Sequence, residues 1–193
     1  ELVPATPDRV EEARGWVDGL VADGGTNIGA ALDEAFRLSP VEDHLPIVVF
    51  LTDGIPSVGE QSVDRIAERA RERRGDSRIF SFGVGHDVNT ELLDRLTEAG
   101  RGTTSYVEPG ESVELELSLL AERIRHPVLT DLALIETPAR FSEIYPVEIP
   151  DVFAGEELVL FGRYERPDDP LDGTLVVEGR RGERRQTFSA DVR

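Results

Sequence analysis

The stretch IVVFLTDGIPSVG, residues 47–59, indicates the fold class of this chain. Its first five residues form an unbroken apolar run, which predicts a strand buried on both faces, as in a parallel sheet covered by helices. Asp53 follows this strand closely, at the edge where open α/β sheets form their ligand crevice. Gly54 would permit a tight turn that leaves the Asp53 carboxylate pointing away from the sheet.

Strands and helices alternate on both sides of this stretch, which predicts a doubly wound, mostly parallel α/β layer. The first helix has Thr6 as its N-cap, runs on to Gly24 and Gly25, and carries Trp16, which we expect to be buried or half-buried. The remaining predicted elements are helices at 27–38, 62–74, 90–99 and 112–125, and strands at 78–84 and 103–107.

The helical period disappears beyond Pro127. Short β-like runs replace it at 128–136, 157–165, 174–179 and 185–192, and the last two flank RRGE, a plausible hairpin turn. We therefore predict an α/β domain at 1–127, followed by a β-rich, sandwich-like segment at 128–193.

Composition excludes several classes of function. The chain has 39 acidic and 21 basic residues, for a net charge of -18, so nucleic acid and anionic membrane surfaces are poor partners. It has no cysteine, which excludes disulfides, thiol catalysis and thiolate metal sites. No apolar run approaches the roughly 20 residues of a membrane span.

A second loop, GGTNIGAAL at 24–32, places Thr26 between glycines and a helix start. Hydroxyl and carboxylate oxygens from Thr26 and Asp53 would together suit a hard cation such as Mg²⁺. The alternative is that Thr26 caps a helix and Asp53 organises a turn. His44, His86 and His126 lack metal-ligand spacing, and Asn89 is expected to cap the helix that begins at Thr90.

GGTNIGAAL, FLTDGIPSVG and IFSFGVGHDVN, in this order, resemble the later loops of von Willebrand factor type A domains. The likeness is greatest to inter-alpha-trypsin inhibitor heavy chains and their bacterial relatives, and HPVLTDLAL and YPVEIPDVFAGEELVLFGRYE extend it into the tail. The resemblance implies a metal-ion-dependent adhesion site with Thr26 and Asp53 as ligands of Mg²⁺, or of Mn²⁺ or Ca²⁺. A carboxylate from a protein partner would complete the coordination.

The family's Asp-x-Ser-x-Ser loop does not occur in these 193 residues. The resemblance therefore implies a domain truncated at its N-terminus, with weak magnesium binding by this piece alone. In the family's strand order the first strand would lie beside residues 47–51, so we expect an exposed apolar strand edge here.

Three functions compete at this point. The first is a protein-binding adhesion module that is not an enzyme, for which the resemblance suggests an extracytoplasmic or cell-surface location. The second is a scaffold with a degenerate metal site. The third is a metal-dependent hydrolase with Asp53 as nucleophile or ligand, although no G-x-S-x-G, P-loop or H-E-x-x-H motif is present.

Overall fold

The computed structural model describes residues 2–21, 23–39, 41–42, 44–108, 110–125, 127–153, 155–164 and 172–192. Within these ranges the helices are α1 (Pro7–Asp18), α2 (Ile28–Phe36), α3 (Val63–Arg73), α4 (Thr90–Ala99) and α5 (Val113–Ile124). The strands are β1 (Ile47–Thr52), β2 (Arg78–Val84), β3 (Thr104–Val107), β4 (Pro127–Glu136), β5 (Phe141–Tyr145), β6 (Val152–Phe153), β7 (Phe161–Tyr164), β8 (Gly173–Arg181) and β9 (Arg184–Val192).

A parallel sheet with the strand order β1-β2-β3 forms the centre of the α/β part. Helices α2, α3 and α4 cover one face, where their apolar side chains pack around Ile79. On the other face, Leu120 of α5 packs with Phe80 and Phe82. Helices thus lie on both faces of a parallel sheet, which confirms the predicted doubly wound α/β class.

Helix α1 begins as predicted but differs in its end and its packing. Thr6 caps it by accepting a hydrogen bond from the Arg9 N–H (3.4 Å). The helix ends at Asp18, before the predicted stop at Gly24, and none of its side chains is buried. Trp16 is 68% exposed, so its predicted burial is wrong. A cap and helical spacing suffice to form a helix, but a side chain is buried only where another surface packs against it. The described residues provide no such surface for Trp16.

The prediction of strands buried on both faces holds for β2 and fails for β1. The first six residues of β2 are buried, but Val49 and Leu51 of β1 are 40% and 46% exposed. Strand β1 lies at the end of the sheet and pairs with β2 alone in the described part of the chain. The expected exposed apolar strand edge is therefore confirmed.

The β-rich part contains a four-stranded sheet, β6-β4-β8-β9, and the pair β5-β7, all antiparallel. The turn predicted at RRGE joins β8 to β9, with Gly182 at φ +59°. The strand predicted at 157–165 is shorter, and its last residue lies outside the described ranges; β5 and β6 were not predicted.

The β-rich part shares a core with the parallel sheet. Phe153 of β6 is 1% exposed, and its ring lies edge-on to Phe80 of β2, with 5.5 Å between the ring centroids. The domain division near Pro127 remains a prediction. Among the described helices, none is long and apolar enough to cross a membrane.

Candidate metal-binding site

Asp53 lies directly after the carboxyl end of β1, as predicted. The turn that follows is organised by Thr52, whose hydroxyl accepts a hydrogen bond from the Gly54 N–H and donates one to the Gly54 carbonyl, both at 3.3 Å. The interpretation of Asp53 as the turn organiser is therefore wrong. Gly54 does not adopt a positive φ, so the turn does not depend on glycine's conformational freedom.

Thr26 lies two residues before Ile28, the first residue of helix α2, and is partly buried. The cap of this helix is Asn27, whose Oδ1 accepts a hydrogen bond from the Ala30 N–H (3.1 Å). The interpretation of Thr26 as a helix cap is therefore wrong. Among the residues that the structure describes, none forms a hydrogen bond with the Thr26 hydroxyl.

The two loops are hydrogen-bonded to each other. The Thr26 N–H donates to Ser57 Oγ (2.8 Å), and the N–H groups of Ser57 and Val58 donate to the Thr26 carbonyl (2.9 and 3.2 Å). These bonds hold the Thr26 loop against the segment that begins at Asp53. The sequence analysis did not single out Ser57, whose partner Thr26 lies 31 positions away in the chain.

The loop that contains Asp53 is also anchored at its far end. The Glu60 carboxylate accepts hydrogen bonds from the N–H groups of Ser62 (2.8 Å) and Gln61 (2.9 Å), just before helix α3. The Ser62 N–H lowers the pKa of Glu60; burial opposes this effect, and the positive charge of Arg65 adds to it. The ionised Glu60 side chain therefore holds the end of this loop at the N-terminus of α3. Its negative charge is favourable there because it opposes the positive end of the helix dipole.

The available donor atoms fit a hard cation in kind, although they are few. Within the described ranges, neither the Thr26 hydroxyl nor the Asp53 carboxylate forms a hydrogen bond or an ion pair with another protein group. Both groups are therefore available to bind a cation. Asp53 is exposed and Thr26 is partly buried. However, the described residues contain no group of three or more His, Cys, Asp or Glu side chains that could hold a metal ion. A cation here would need further ligands from water or another segment.

Neither described histidine forms part of a ligand cluster. His44 is exposed, and its Nδ1 lies 2.9 Å from the Glu42 carbonyl; His86 is also exposed. His126 lies outside the described residues. Asn89 caps α4 as predicted, through its Oδ1 and the Leu92 N–H (3.0 Å).

A pocket among the described residues lies away from the two loops. A cavity of about 400 Å³ opens at the start of β2, with Arg78, Asp131 and Arg180 among its lining residues. Arg78 is already paired with Asp131 and Asp151 there. The pocket is therefore associated with a structural ion network and not with the free oxygens of Thr26 and Asp53.

The sequence model of the von Willebrand factor type A domain family matches residues 1–106. The chain belongs to this family. Domains of the von Willebrand factor type A family commonly mediate protein–protein interactions.

Relatives extend the similarity beyond the matched domain. Inter-alpha-trypsin inhibitor heavy chain H4 of Homo sapiens is 30% identical over 200 residues, covering 98% of this chain and 21% of the relative. Heavy chain H2 of Mesocricetus auratus is 26% identical over 174 residues, covering 86% of this chain and 18% of the relative. This von Willebrand factor type A chain thus spans about a fifth of the length of these heavy chains.

A solved structure shows the fold of this chain. The von Willebrand factor type A protein from Catenulispora acidiphila superposes with a TM-score of 0.70 at 16% identity. The superposition covers 99% of this chain and 52% of the other chain. The structural similarity therefore includes the β-rich part.

Proposed function

We propose that this chain is part of a protein-binding module that holds a divalent cation through Thr26 and Asp53 and uses it to grip a carboxylate of a partner protein. The observation that supports the proposal is the direct hydrogen bonding between the two loops that carry these residues. Because neither side-chain oxygen is engaged elsewhere in the described structure, both are available to one ion.

The chemistry of the two donors favours Mg²⁺, with Mn²⁺ or Ca²⁺ as alternatives. Mg²⁺ is bound by one or two carboxylates and retains several waters, so it tolerates a small number of protein ligands. The Asp-x-Ser-x-Ser pattern is absent from the 193 residues, so in this proposal water or a segment outside this sequence supplies further ligands. When bound, the cation supplies positive charge and an exchangeable coordination position.

The charge of the chain gives the cation a second role. A net charge of -18 repels an acidic partner, and a bound divalent cation offsets this repulsion where the partner's carboxylate arrives. The proposed partner is therefore a protein, with no role for nucleic acid or membrane insertion. An extracytoplasmic or cell-surface location is part of the same proposal.

We propose binding in preference to catalysis because of the surroundings of Asp53. A nucleophilic or general-base carboxylate works with a second group within hydrogen-bonding reach. In the described part of the chain, no side chain hydrogen-bonds to the Asp53 carboxylate. A metal-dependent hydrolase would therefore require a catalytic partner for Asp53 beyond the described residues.

Calorimetric titration of Mg²⁺ and Mn²⁺ into the natural full-length protein tests the proposal. We expect micromolar to low-millimolar dissociation constants that Asp53→Ala or Thr26→Ala weakens at least about tenfold. The matched control is Asp191→Ala, which removes an exposed carboxylate in the β8–β9 hairpin and should leave the affinity unchanged. Equal affinity in the wild type and the Asp53 variant would refute the proposed site.

A further inference from the structure

We infer that Ser57 is a positioning residue that clamps the backbone of Thr26, so that the Thr26 hydroxyl and the Asp53 carboxylate are presented to one cation. This inference rests on the proposed function. Ser57 lies on the loop of Asp53, whereas Thr26 is 31 positions earlier in the chain. Ser57 would not be a ligand itself; it would fix the distance between two loops that carry ligands.

The hydrogen bonds engage both backbone groups of Thr26. The Ser57 hydroxyl accepts from the Thr26 N–H at 2.8 Å, and the Ser57 N–H donates back to the Thr26 carbonyl at 2.9 Å. A second donor, the Val58 N–H, reaches the same carbonyl at 3.2 Å. The Thr26 backbone is therefore held on both sides while its side-chain oxygen remains available.

Two glycines permit this close approach. A Cβ on Gly25 would lie 2.9 Å from Ser57 Oγ and would overlap the Val58 side chain. Gly59 has φ +73°, and a Cβ there would lie 2.8 Å from Oδ1 of Asn27, which caps α2. The absence of both side chains lets the Asp53 loop lie directly on the start of α2.

The expected energetic effect concerns metal affinity more than folding. Ser57 is exposed, so removing its hydroxyl leaves no cavity in the core. It does leave the Thr26 N–H without its partner and removes one of the three hydrogen bonds between the loops, so that only the two bonds to the Thr26 carbonyl still hold them. Loss of an outer-shell hydrogen bond that orients a metal ligand typically weakens metal binding about 10–100-fold. We therefore expect Ser57→Ala to weaken Mn²⁺ binding by about tenfold.

Ser62 provides a matched control on the same segment. It precedes α3 as the N-cap residue, but its side chain makes no capping hydrogen bond. Ser62→Ala therefore removes the same hydroxyl five positions away without touching the loop contact. Ser57→Thr keeps a hydroxyl and should restore most of the affinity.

Two measurements separate the loop contact from metal binding. Amide hydrogen exchange of the 193-residue chain without metal should show a protected Thr26 N–H that exchanges at least about tenfold faster in Ser57→Ala but not in Ser62→Ala. Calorimetric Mn²⁺ titration of the natural full-length protein should show the affinity loss in Ser57→Ala, its rescue in Ser57→Thr and no change in Ser62→Ala.

The possible failures are distinguishable. Equal Thr26 exchange in the wild type and Ser57→Ala overturns the clamp, whatever the metal result. If the Thr26 N–H is protected in the wild type and exchanges faster in Ser57→Ala, but the Mn²⁺ affinity of Ser57→Ala is unchanged, the positioning role is overturned and the proposed function stands. If the wild type itself binds no Mn²⁺, the proposed function fails, and the role of Ser57 in metal binding fails with it.

Discussion

Arg78 and Asp151 form a buried ion pair that joins the parallel sheet to the β-rich part of the chain. Arg78 Nε donates to Asp151 Oδ2 at 2.5 Å, and the two side chains are 2% and 0% exposed. Arg78 Nη2 also donates to Asp131 Oδ1 (2.8 Å), and the Asp131 N–H donates to Asp151 Oδ1 (3.0 Å). Burial alone would lower the pKa of Arg78, but hydrogen bonding and charge attraction from Asp151 and then Asp131 raise it.

Asp151→Ala should strongly destabilise the chain. The change leaves Arg78 buried with its main counter-charge removed, and breaking a buried pair in this way costs about 3–5 kcal/mol. Urea unfolding followed by circular dichroism measures the loss. The control is Arg163→Gln, which breaks an exposed pair with Glu143 (side chains 81% and 71% exposed) and should cost less than about 1 kcal/mol. Similar losses in the two variants would mean that the buried pair contributes no more than an exposed one.

Phe153→Ala should show that the β-rich part and the parallel sheet share one core. Phe153 is 1% exposed against Phe80, so its truncation should lower the free energy of unfolding by about 3–5 kcal/mol. Phe161 is in the same part of the chain but is 67% exposed, and Phe161→Ala should cost much less. Denaturant titration of both variants tests the contrast, which a small loss in Phe153→Ala would contradict.

Gly102→Ala should destabilise the chain by about 1–3 kcal/mol, a cost typical of overpacking. A Cβ at Gly102 would overlap the Ile79 carbonyl, which belongs to the backbone of β2 and cannot rotate away as a side chain could. Gly15→Ala is the control, because nothing lies within 4 Å of a Cβ at that position in α1. It should raise helix stability by roughly 0.5–1 kcal/mol, as measured by thermal unfolding. A neutral Gly102→Ala would show that the two backbones can separate.

The Tyr106 side chain should ionise at higher pH than an ordinary tyrosine. Its partial burial, followed by the hydrogen bond to Asp94 Oδ1 (2.7 Å) and the charge of Asp94, raises the pKa of Tyr106. The folded pKa exceeds the unfolded one, so this group's contribution to stability is present below about pH 10 and is lost as the pH rises through the folded pKa.

Titration of phenolate absorbance should therefore reveal a late phase. Tyr106→Phe should abolish that phase, and Asp94→Asn should move it to lower pH. If the late phase survives in Tyr106→Phe, it belongs to another tyrosine, and the interaction with Asp94 does not govern the titration.

The candidate site was only partly visible in the sequence. Asp53 and Thr26 could be named because each follows a readable local signal, the end of an apolar strand and a glycine-flanked helix start. Ser57 could not be named because its role depends on a hydrogen bond to a residue 31 positions away. The functions of Asn27 as cap and Thr52 as turn organiser were likewise missed, since several neighbouring polar side chains could have made the same short-range bonds.

The sequence alone determined the elements whose signals lie within a few residues of one another. Helix α4 runs from Thr90 to Ala99 as predicted, because Asn89 caps it and its apolar residues follow the helical period. Long-range packing determined which surfaces those elements bury. Trp16 is exposed and Arg78 is buried, against what their residue types suggest, because burial depends on what lies opposite. For Arg78 the opposite group is Asp151, 73 residues away, and only the folded chain brings the two together.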